Sequence, residues 1–594
     1  MPRLLAFLKP HRKLVVALIL VNFLLSAMLI VAPLVIKAIV DDVIGAQRLE
    51  LLLPYLALLL LVTGVRAAAT YFYSYGQNKL GQLVMTDVRA ALYRKLLVLP
   101  YSFYDKERTG RLMSRVSSDV ESTRLFLSQI LIESLNHATT IVLATIALFE
   151  QSVVLALLAA GPMVASGLGM YLAHRRLSEP WARQHELVAK MSATLQDSLS
   201  GVKVVKAFAQ EAQEEHKFMA TVADVRAGSE HINDLWNKRW AVIGSIGRFM
   251  QLLMIGVGGY MVMGGSLSLG ALVAAISLSM LLLGAVNALG TQLNAFSQTA
   301  TAAVRIFELL DEPVAIRSPA QPQRLNGELR GEIEFEQVSF SYPTSRANTL
   351  QDINLRIPAG SSLAVVGATG SGKSTLVHLI GRFYDPTAGR VRVDGHDVRT
   401  LDLAELRRQI GMVAQDALLF SATIAENIAF GRPDAPREAV ERAAKLAQAH
   451  EFIVKLPEGY DTKIGERGIG LSGGQRQRIA IARAILLDPR ILILDDAMSA
   501  VDAETEKLLQ AAIRAVMRGR TTILIAHRLS TVEQADHIIV LREGRIVEQG
   551  THAELVRSSG YYRHVLEMQR MSAAETMSET INVNPRAIVG NAFG

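Results

Sequence analysis

The segment Ser362-Leu363-Ala364-Val365-Val366-Gly367-Ala368-Thr369-Gly370-Ser371-Gly372-Lys373-Ser374 decides the fold of the C-terminal half. Its first five residues are mostly apolar and predict a buried strand. The next eight have the pattern G-x-x-x-x-G-K-[ST], and Thr375 to Ile380 after them predict a helix. A strand, a glycine-rich loop and a helix in this order predict an α/β domain that binds a nucleoside triphosphate.

The loop carries the groups that a triphosphate needs. Glycines let backbone N–H groups approach phosphate oxygens at the start of a helix, where anions are favoured. Lys373 places a positive charge at the β- and γ-phosphates, and the Ser374 hydroxyl is a ligand for Mg²⁺. The predicted ATP-binding residues are the loop and the threonine after it: Gly367, Ala368, Thr369, Gly370, Ser371, Gly372, Lys373, Ser374 and Thr375.

A second apolar strand is predicted at Arg490-Ile491-Leu492-Ile493-Leu494, and two carboxylates follow it directly. In P-loop proteins a carboxylate at such a strand end holds the Mg²⁺ shell, so Asp495 is the predicted metal residue beside Ser374. Asp496, the next residue, is placed to orient or deprotonate a water molecule. The alternative interpretation is an ordinary acidic turn after a strand.

The N-terminal half carries six apolar segments of about 20 residues, the length that crosses a ~30 Å hydrocarbon core as a helix. Lys and Arg concentrate in the long connections after the second and fourth segments. By the positive-inside rule, both termini lie in the cytoplasm. We predict a multi-pass protein of the cytoplasmic (inner) membrane. The predicted spans are 14–36, 51–72, 126–149, 152–173, 241–263 and 267–289.

The two long connections show apolar residues at helical spacing, which predicts that the spans continue as helices into the cytosol. Segments 110–115 and 201–208 are predicted near the turns between these helices. Each is either a surface turn or a contact point with the C-terminal half.

Several polar residues lie inside or next to the spans. Ionisable residues there are functional candidates, so Arg66, Glu133 and His137 are possible substrate contacts. Asn287, Gln292 and Asn294 near the sixth span either line a polar cavity or bridge neighbouring helices.

Composition agrees with two dissimilar halves. A chain of 594 residues is too long for one core, and half of its residues are hydrophobic. The absence of cysteine excludes disulfides and thiolate metal sites, and the net charge of +7 without a long basic block argues against nucleic acid. We predict an all-α transmembrane domain over 1–310, a linker over 311–330, an α/β P-loop domain over 331–570 and a polar tail over 571–594.

The pentapeptide Leu471-Ser472-Gly473-Gly474-Gln475 makes the chain resemble the exporter-type ABC transporters. The resemblance extends over residues 1 to about 570 and is to a half-transporter, with the membrane domain fused N-terminal to the ATPase domain. It implies that Ser472, Gly473, Gly474 and Gln475 are the family's signature and contact ATP.

The resemblance implies roles for five further residues. Tyr342 matches the aromatic residue that stacks on adenine, and Gln415 matches the glutamine that contacts Mg²⁺ and senses the membrane domain. Glu466 lies in a segment that resembles the cross-linking loop of exporters. Asp502 lies in a segment that matches the loop spanning the dimer interface in the family. His527 matches the switch histidine at the γ-phosphate.

The resemblance also implies a mechanism. Two ATPase domains hold two ATP molecules head to tail, each between the P-loop of one domain and the signature of the other. The expected function is ATP-driven export or lipid flipping of an amphipathic or lipid-like substrate in contact with membrane lipid. A channel-like or regulatory ABC protein is the alternative, and a soluble ABC ATPase or an importer is disfavoured by six spans on the same chain.

One position departs from the family pattern. The residue after the strand-end aspartate is usually glutamate in active members, and here it is Asp496. This resembles the degenerate halves of heterodimeric exporters, in which the partner supplies the glutamate. The sequence therefore favours a heterodimer with a second half-transporter over a homodimer that hydrolyses ATP slowly.

Overall fold

The computed structural model describes residues 2–323, 329–343, 345, 348–465, 470–496, 503–525, 532–558 and 560–568. They form two compact units, Met1–Leu97 with Thr109–Glu312 and Val98–Arg108 with Pro313–Gly594. The division after Glu312 falls inside the segment predicted as a linker. The short segment Val98–Arg108, from the first long connection, belongs to the second unit.

The first unit is built from helices, and six of those in the described residues are long and apolar enough to cross a membrane. This confirms the predicted all-α domain with six spans. Helices suit a bilayer because each satisfies its own backbone N–H and C=O groups. The spans are Arg3–Gly45, Leu49–Val98, Thr109–Gln151, Val153–Ser200, Glu211–Met263 and Leu269–Asp311. Each is longer than its predicted apolar segment and extends beyond it at one end or at both ends.

The spans are held together by an apolar core and by polar bridges. Leu155, Met250 and Leu278, from the fourth, fifth and sixth spans, are almost completely buried in one cluster. Ser166 Oγ donates to Asn287 Oδ1 at 2.9 Å, so Asn287 bridges the fourth and sixth spans. Such bridges are favourable in lipid because no water is there to satisfy the amide. This supports the helix-bridging interpretation for Asn287.

The second unit contains a six-stranded sheet in the order β10-β9-β3-β8-β7-β6. Neighbouring strands pair in parallel except at the β9–β10 edge. In β7, Ile491 and Ile493 enter one buried cluster and Leu492 the other, so both faces are covered, as expected for a parallel sheet. The strands are β3 Ser362–Val366, β6 Ile410–Val413, β7 Ile491–Asp495, β8 Thr521–Ile525, β9 His537–Arg542 and β10 Arg545–Gly550.

A second, antiparallel sheet has four strands in the order β2-β1-β4-β5. These strands are β1 Ile333–Phe340, β2 Leu350–Ile357, β4 Ala388–Val393 and β5 His396–Asp397. Helices cover the sheets: Lys373–Ile380, Leu403–Arg408, Ile424–Ile428, Arg437–Leu446, His450–Val454, Gly473–Leu486, Ala503–Met517 and His552–Arg557. The parallel sheet with covering helices confirms the predicted α/β class. Ligands of such sheets bind at the carboxyl ends of the strands.

Candidate nucleotide-binding site

The glycine-rich loop connects β3 to the helix Lys373–Ile380, as the sequence predicts. Gly372 has φ +104°, in the left-handed region that favours glycine. A side chain at Gly367 would bring its Cβ within 2.3 Å of the Leu541 carbonyl oxygen. The loop can therefore follow its path only with glycine at these positions.

Lys373 is held inside the loop by the loop's own carbonyl groups. Its Nζ donates to Gly367 O at 2.8 Å and to Ala368 O at 2.9 Å. Burial lowers the pKa of Lys373, and the carboxylates of Asp495 and Asp496 oppose this shift. The ammonium group is thus fixed where the loop would place the phosphates, with two acidic residues close enough to act on it.

The loop also contains an orphaned polar atom. Ser371 Oγ is buried and has no hydrogen-bond partner among the described residues. Leaving a buried hydroxyl unpaired costs about 1–3 kcal/mol, and a phosphate oxygen would accept its hydrogen bond. This observation fits a loop shaped for an anionic ligand.

A cavity of about 300 Å³ lies over the loop and brings most predicted residues together. Asp495 ends β7 and is buried. Three of the lining residues, Ser374, Gln415 and Asp495, offer the oxygen donors that Mg²⁺ prefers. The lining includes Tyr342, Thr369, Gly370, Gly372, Lys373, Ser374, Thr375, Gln415, Asp495 and Asp496.

Asp496 is fixed at the edge of this cavity by its backbone and its side chain. Its φ is +46°, a conformation that Asp tolerates better than most residues, and its N–H donates to Ile525 O at 2.8 Å. Gln415 Nε2 donates to Asp496 Oδ2 at 3.2 Å. The two residues predicted to act on water and metal are therefore in direct contact.

Tyr342 lies just beyond β1 at the cavity wall. Its hydroxyl is 3.0 Å from Thr375 Oγ1, and its ring meets Tyr384 edge-on at 5.3 Å. Burial raises the pKa of Tyr342, so its hydroxyl stays protonated. The position beside the loop is compatible with a contact to adenine, which stays a prediction.

The signature begins a helix of 14 residues, Gly473–Leu486. Ser472 is its N-cap and forms a capping box: Ser472 Oγ accepts from Gln475 N at 3.2 Å, and Gln475 Oε1 accepts from Ser472 N at 2.8 Å. Ser472 and Gly473 are exposed, whereas Gly474 is buried. None of these described signature residues lines the cavity over the P-loop. The motif thus presents a helix N-terminus, which favours anions, outside its own chain's cavity.

Three residues with expected roles lie outside the described part of the chain. They are Glu466, Asp502 and His527. The tail 571–594 also lies outside it. Their roles stay predictions from the family resemblance.

The segment Val98–Arg108 contacts Phe383 and Tyr384, which follow the helix Lys373–Ile380. From the sequence, such a contact is expected for segments 110–115 and 201–208 instead. Tyr384 OH donates to Asp105 Oδ2 at 2.8 Å, and burial together with Asp105 raises the pKa of Tyr384 far above its usual value. Tyr101 stacks on Phe383 with ring centroids 4.7 Å apart. The expected contact segment, 110–115, lies just downstream in the first unit, and the contact expected for 201–208 stays a prediction. In the sequence, the aromatic pair Phe383-Tyr384 after the helix Lys373–Ile380 is the one feature that could have indicated this contact.

Fold and site together define a P-loop ATPase domain on the same chain as a six-span membrane domain. Family models match both parts: the ABC transporter transmembrane region at residues 15–286 and the ABC transporter domain at residues 350–499. The chain therefore belongs to the ABC transporters.

Relatives match almost the whole chain. The uncharacterized ABC transporter ATP-binding protein YknU of Bacillus subtilis is 37% identical over 572 residues, covering 96% of this chain and 97% of the relative. The putative multidrug export ATP-binding/permease protein YgaD of the same species is 36% identical over 587 residues, covering 96% and 100%. The structure of a bacterial Atm1-family ABC exporter with ATP bound has a TM-score of 0.82 and 29% identity, covering 94% of this chain and 98% of that chain.

These matches confirm the predicted exporter-type organisation, with a membrane domain followed by an ATPase domain. The chain is an ATPase coupled to transport and a multi-pass membrane protein.

Proposed function

We propose that this chain is one half of a dimeric ABC exporter in which each ATP is held between the P-loop of one subunit and the signature of the other. The observation that carries the proposal is the exposed N-terminus of the signature helix at Ser472 and Gly473, outside the cavity that contains Lys373. A signature that does not reach its own P-loop cavity can act only on another chain's nucleotide. A single chain would then be incomplete.

Within one site, the P-loop binds the triphosphate and Tyr342 contacts the base. Ser374, Gln415 and Asp495 would hold Mg²⁺, which neutralises charge on the phosphates. Asp496 orients the attacking water, and His527 contacts the γ-phosphate. The contact between Gln415 and Asp496 supports this assignment, because it joins the metal residue to the residue that acts on water.

The aspartate at position 496 is the reason to propose a heterodimer, and it also supports a second candidate function. Its carboxylate is about 1.5 Å shorter in reach than that of glutamate, and misplacing a catalytic group by about 1 Å can cost a hundredfold in rate. We infer a heterodimer in which the partner carries the efficient residue and uses this chain's signature. The alternative is a regulatory half in which ATP binding, rather than hydrolysis, gates the membrane domain.

The basic residues in the two long connections support an arrangement with both termini and the ATPase domain in the cytoplasm. The proposed location is the cytoplasmic (inner) membrane. The proposed cargo is an amphipathic or lipid-like molecule. Relatives named as putative multidrug exporters support this class.

Affinity purification of the tagged chain from its native membrane in mild detergent tests the assembly. We expect a second half-transporter to co-purify in a one-to-one ratio, identified by its mass, with cargo-stimulated ATPase activity in the complex. An active species that is a monomer of 64.8 kDa would contradict the proposal. Movement of cargo only down its gradient would favour the gating alternative.

A further inference from the structure

The loop that carries Gln415 is held in place by the signature helix, Gly473–Leu486. Gln477 Nε2 donates to Ala414 O at 3.4 Å, and Arg483 Nη1 donates to Leu418 O at 3.2 Å. Ala414 directly precedes Gln415, and Leu418 lies further along the same loop. Side chains of one helix therefore fix the loop on both sides of Gln415.

Gln477 is the contact next to Gln415, and it is well restrained. It is only 7% exposed, and it lies about one helical turn after Gly473. A buried amide that loses its partner is costly, so we expect the helix and the loop to move together. The apolar packing agrees, because Ile481 of the helix is buried in one cluster with Val413 of β6 and Leu494 of β7.

Gln477 lies between two groups that act on different nucleotides. On one side, Gln415 lines the cavity over the P-loop of its own chain and donates to Asp496 at 3.2 Å. On the other side, Ser472 and Gly473 begin the helix at exposed positions outside that cavity. In the dimer proposed above, these two residues contact the nucleotide of the partner subunit. A displacement of the helix by that nucleotide therefore reaches Gln415 through one side chain.

We propose that Gln477 is a positioning residue that couples the two nucleotide sites of the dimer, an inference that rests on the proposed function. With the bond to Ala414 intact, ATP in this chain's P-loop holds Gln415 and, through Gln477, the signature that acts on the partner subunit's ATP. Because a coupling free energy is reciprocal, the ATP of the partner subunit has the same effect on this chain's site. A slow site at Asp496 then contributes by being occupied rather than by turning over.

Two measurements on the intact complex test this coupling. The first is the rate of phosphate release as a function of ATP concentration, because coupled sites give a Hill coefficient that can approach the number of sites. The second is photolabelling of this chain by 8-azido-ATP as a function of Mg²⁺ concentration. It reports how well this chain's own site, with Gln415 as a metal residue, holds the nucleotide.

Two variants and one matched control are compared. Gln477→Met removes the amide donor with little change in length, and Gln477→Glu keeps the shape but replaces the donor by an oxygen. Gln409→Met makes the same exchange just before β6, at the end of the strand away from Gln415, where the residue does not line the cavity. Assembly of the complex is checked first for each variant, so a failure of the proposed dimer appears at that step and not in the kinetics.

We expect a Hill coefficient of about 1.5 or more in the wild type and in Gln409→Met, and of about 1 in Gln477→Met and Gln477→Glu. The Mg²⁺ concentration for half-maximal labelling should rise about threefold to tenfold in Gln477→Met, as in Gln415→Met, and no further in the double variant. A lower maximal rate with an unchanged Hill coefficient and Mg²⁺ dependence would show a merely structural role and overturn the proposal. A Hill coefficient of about 1 in the wild-type complex would overturn it as well.

Discussion

At the scale of single residues, the role proposed for Asp496 predicts how fast this chain hydrolyses ATP at its own P-loop. Its side chain is already in contact with Gln415, at 3.2 Å. We expect Asp496→Glu to raise the ATPase rate of the purified chain by on the order of tenfold to a hundredfold, because the longer side chain restores the reach of the carboxylate. The measurement is phosphate release at saturating ATP.

Asp416→Glu is the matched control, since it makes the same exchange one residue from Gln415 at an exposed position. It should leave the rate unchanged. If the unaltered chain turns over briskly and Asp496→Glu adds little, the idea of a degenerate site is wrong.

His378, on the P-loop helix, makes stability depend on pH. Burial lowers its pKa below the ordinary value of 6.5, the carboxylates of Asp495 and Asp105 oppose the shift, and its Nδ1 has no partner among the described residues. The unfolded chain therefore binds a proton more readily than the folded one. Stability is kept above about pH 6.5 and is lost as the pH falls through the folded pKa.

Thermal unfolding between about pH 7.5 and about pH 5.5 checks this prediction. The wild type should lose more thermal stability on acidification than His378→Gln, which cannot take up the proton. His564→Gln, at an exposed histidine, serves as the control and should follow the wild type. An equal loss in all three proteins would rule out His378 as the cause.

At the scale of elements, the segment Val98–Arg108 joins the ATPase domain through Tyr384. The hydroxyl of Tyr384 binds Asp105, and its ring touches Tyr342, whose hydroxyl is 3.0 Å from Thr375 Oγ1. We expect Tyr384→Phe and Asp105→Asn each to lower transport several-fold while ATP hydrolysis continues. The double variant should be no worse than either single one, because both remove the same bond.

Transport and ATPase rates measured on the same vesicles separate loss of coupling from loss of catalysis. Tyr101→Phe is the control, since it removes a hydroxyl from the same short helix, Tyr101–Tyr104, and keeps the ring that stacks on Phe383. Parallel losses of transport and hydrolysis in Tyr384→Phe would argue for a merely structural role.

An ion pair joins the third and sixth spans beyond their apolar segments. Arg305 Nε donates to Asp119 Oδ2 at 2.8 Å, and the Asp119 side chain is only 7% exposed. Removing the arginine leaves a buried charge without a partner, which typically costs about 3–5 kcal/mol. Because Arg305 is itself 44% exposed, we expect Arg305→Met to destabilise the protein near the lower limit of that range.

The melting temperature of the protein in detergent reports this loss. Asp119→Asn in the Arg305→Met background should recover part of it, because it removes the unpaired charge. Arg226→Met, which breaks an exposed pair with Glu230, should change the melting temperature little. No recovery in the double variant would contradict the explanation.

At the scale of the whole molecule, the sequence predicted the features that depend on neighbouring residues, such as the strand before the P-loop and the six spans. The strand Ser362–Val366 was predicted with its observed bounds, because it ends at a loop that only glycine can form. Hydropathy placed all six spans but underestimated their lengths: segment 14–36 lies in a helix of Arg3–Gly45. The helix continues outside lipid through packing, which hydropathy does not detect.

Contacts between distant residues could not be predicted in this way. Asp105 and Tyr384 are 279 positions apart in the sequence, and no periodicity relates them. The cavity lined by Trp181 and Trp236 could not be predicted either, because it forms only where the fourth, fifth and sixth spans pack together. The nucleotide site was accessible to sequence reasoning because its residues follow strand ends, where the topology of a parallel sheet brings them together.

The central claim is that the signature of one chain serves the nucleotide of another. The chain has no cysteine, so Ser472→Cys in its signature, at an exposed position, can be combined with a cysteine placed in the P-loop of the co-purified second subunit and oxidised with ATP bound. We predict a disulfide between the two subunits, seen without reductant as a band at the sum of their masses, which is twice 64.8 kDa if the second subunit is another copy of this chain. The variant with both Thr369→Cys and Ser472→Cys on this chain, two exposed positions, tests the opposite arrangement. Loss of both free thiols in a band that stays at the monomer position would show a signature serving its own P-loop, and would contradict the account.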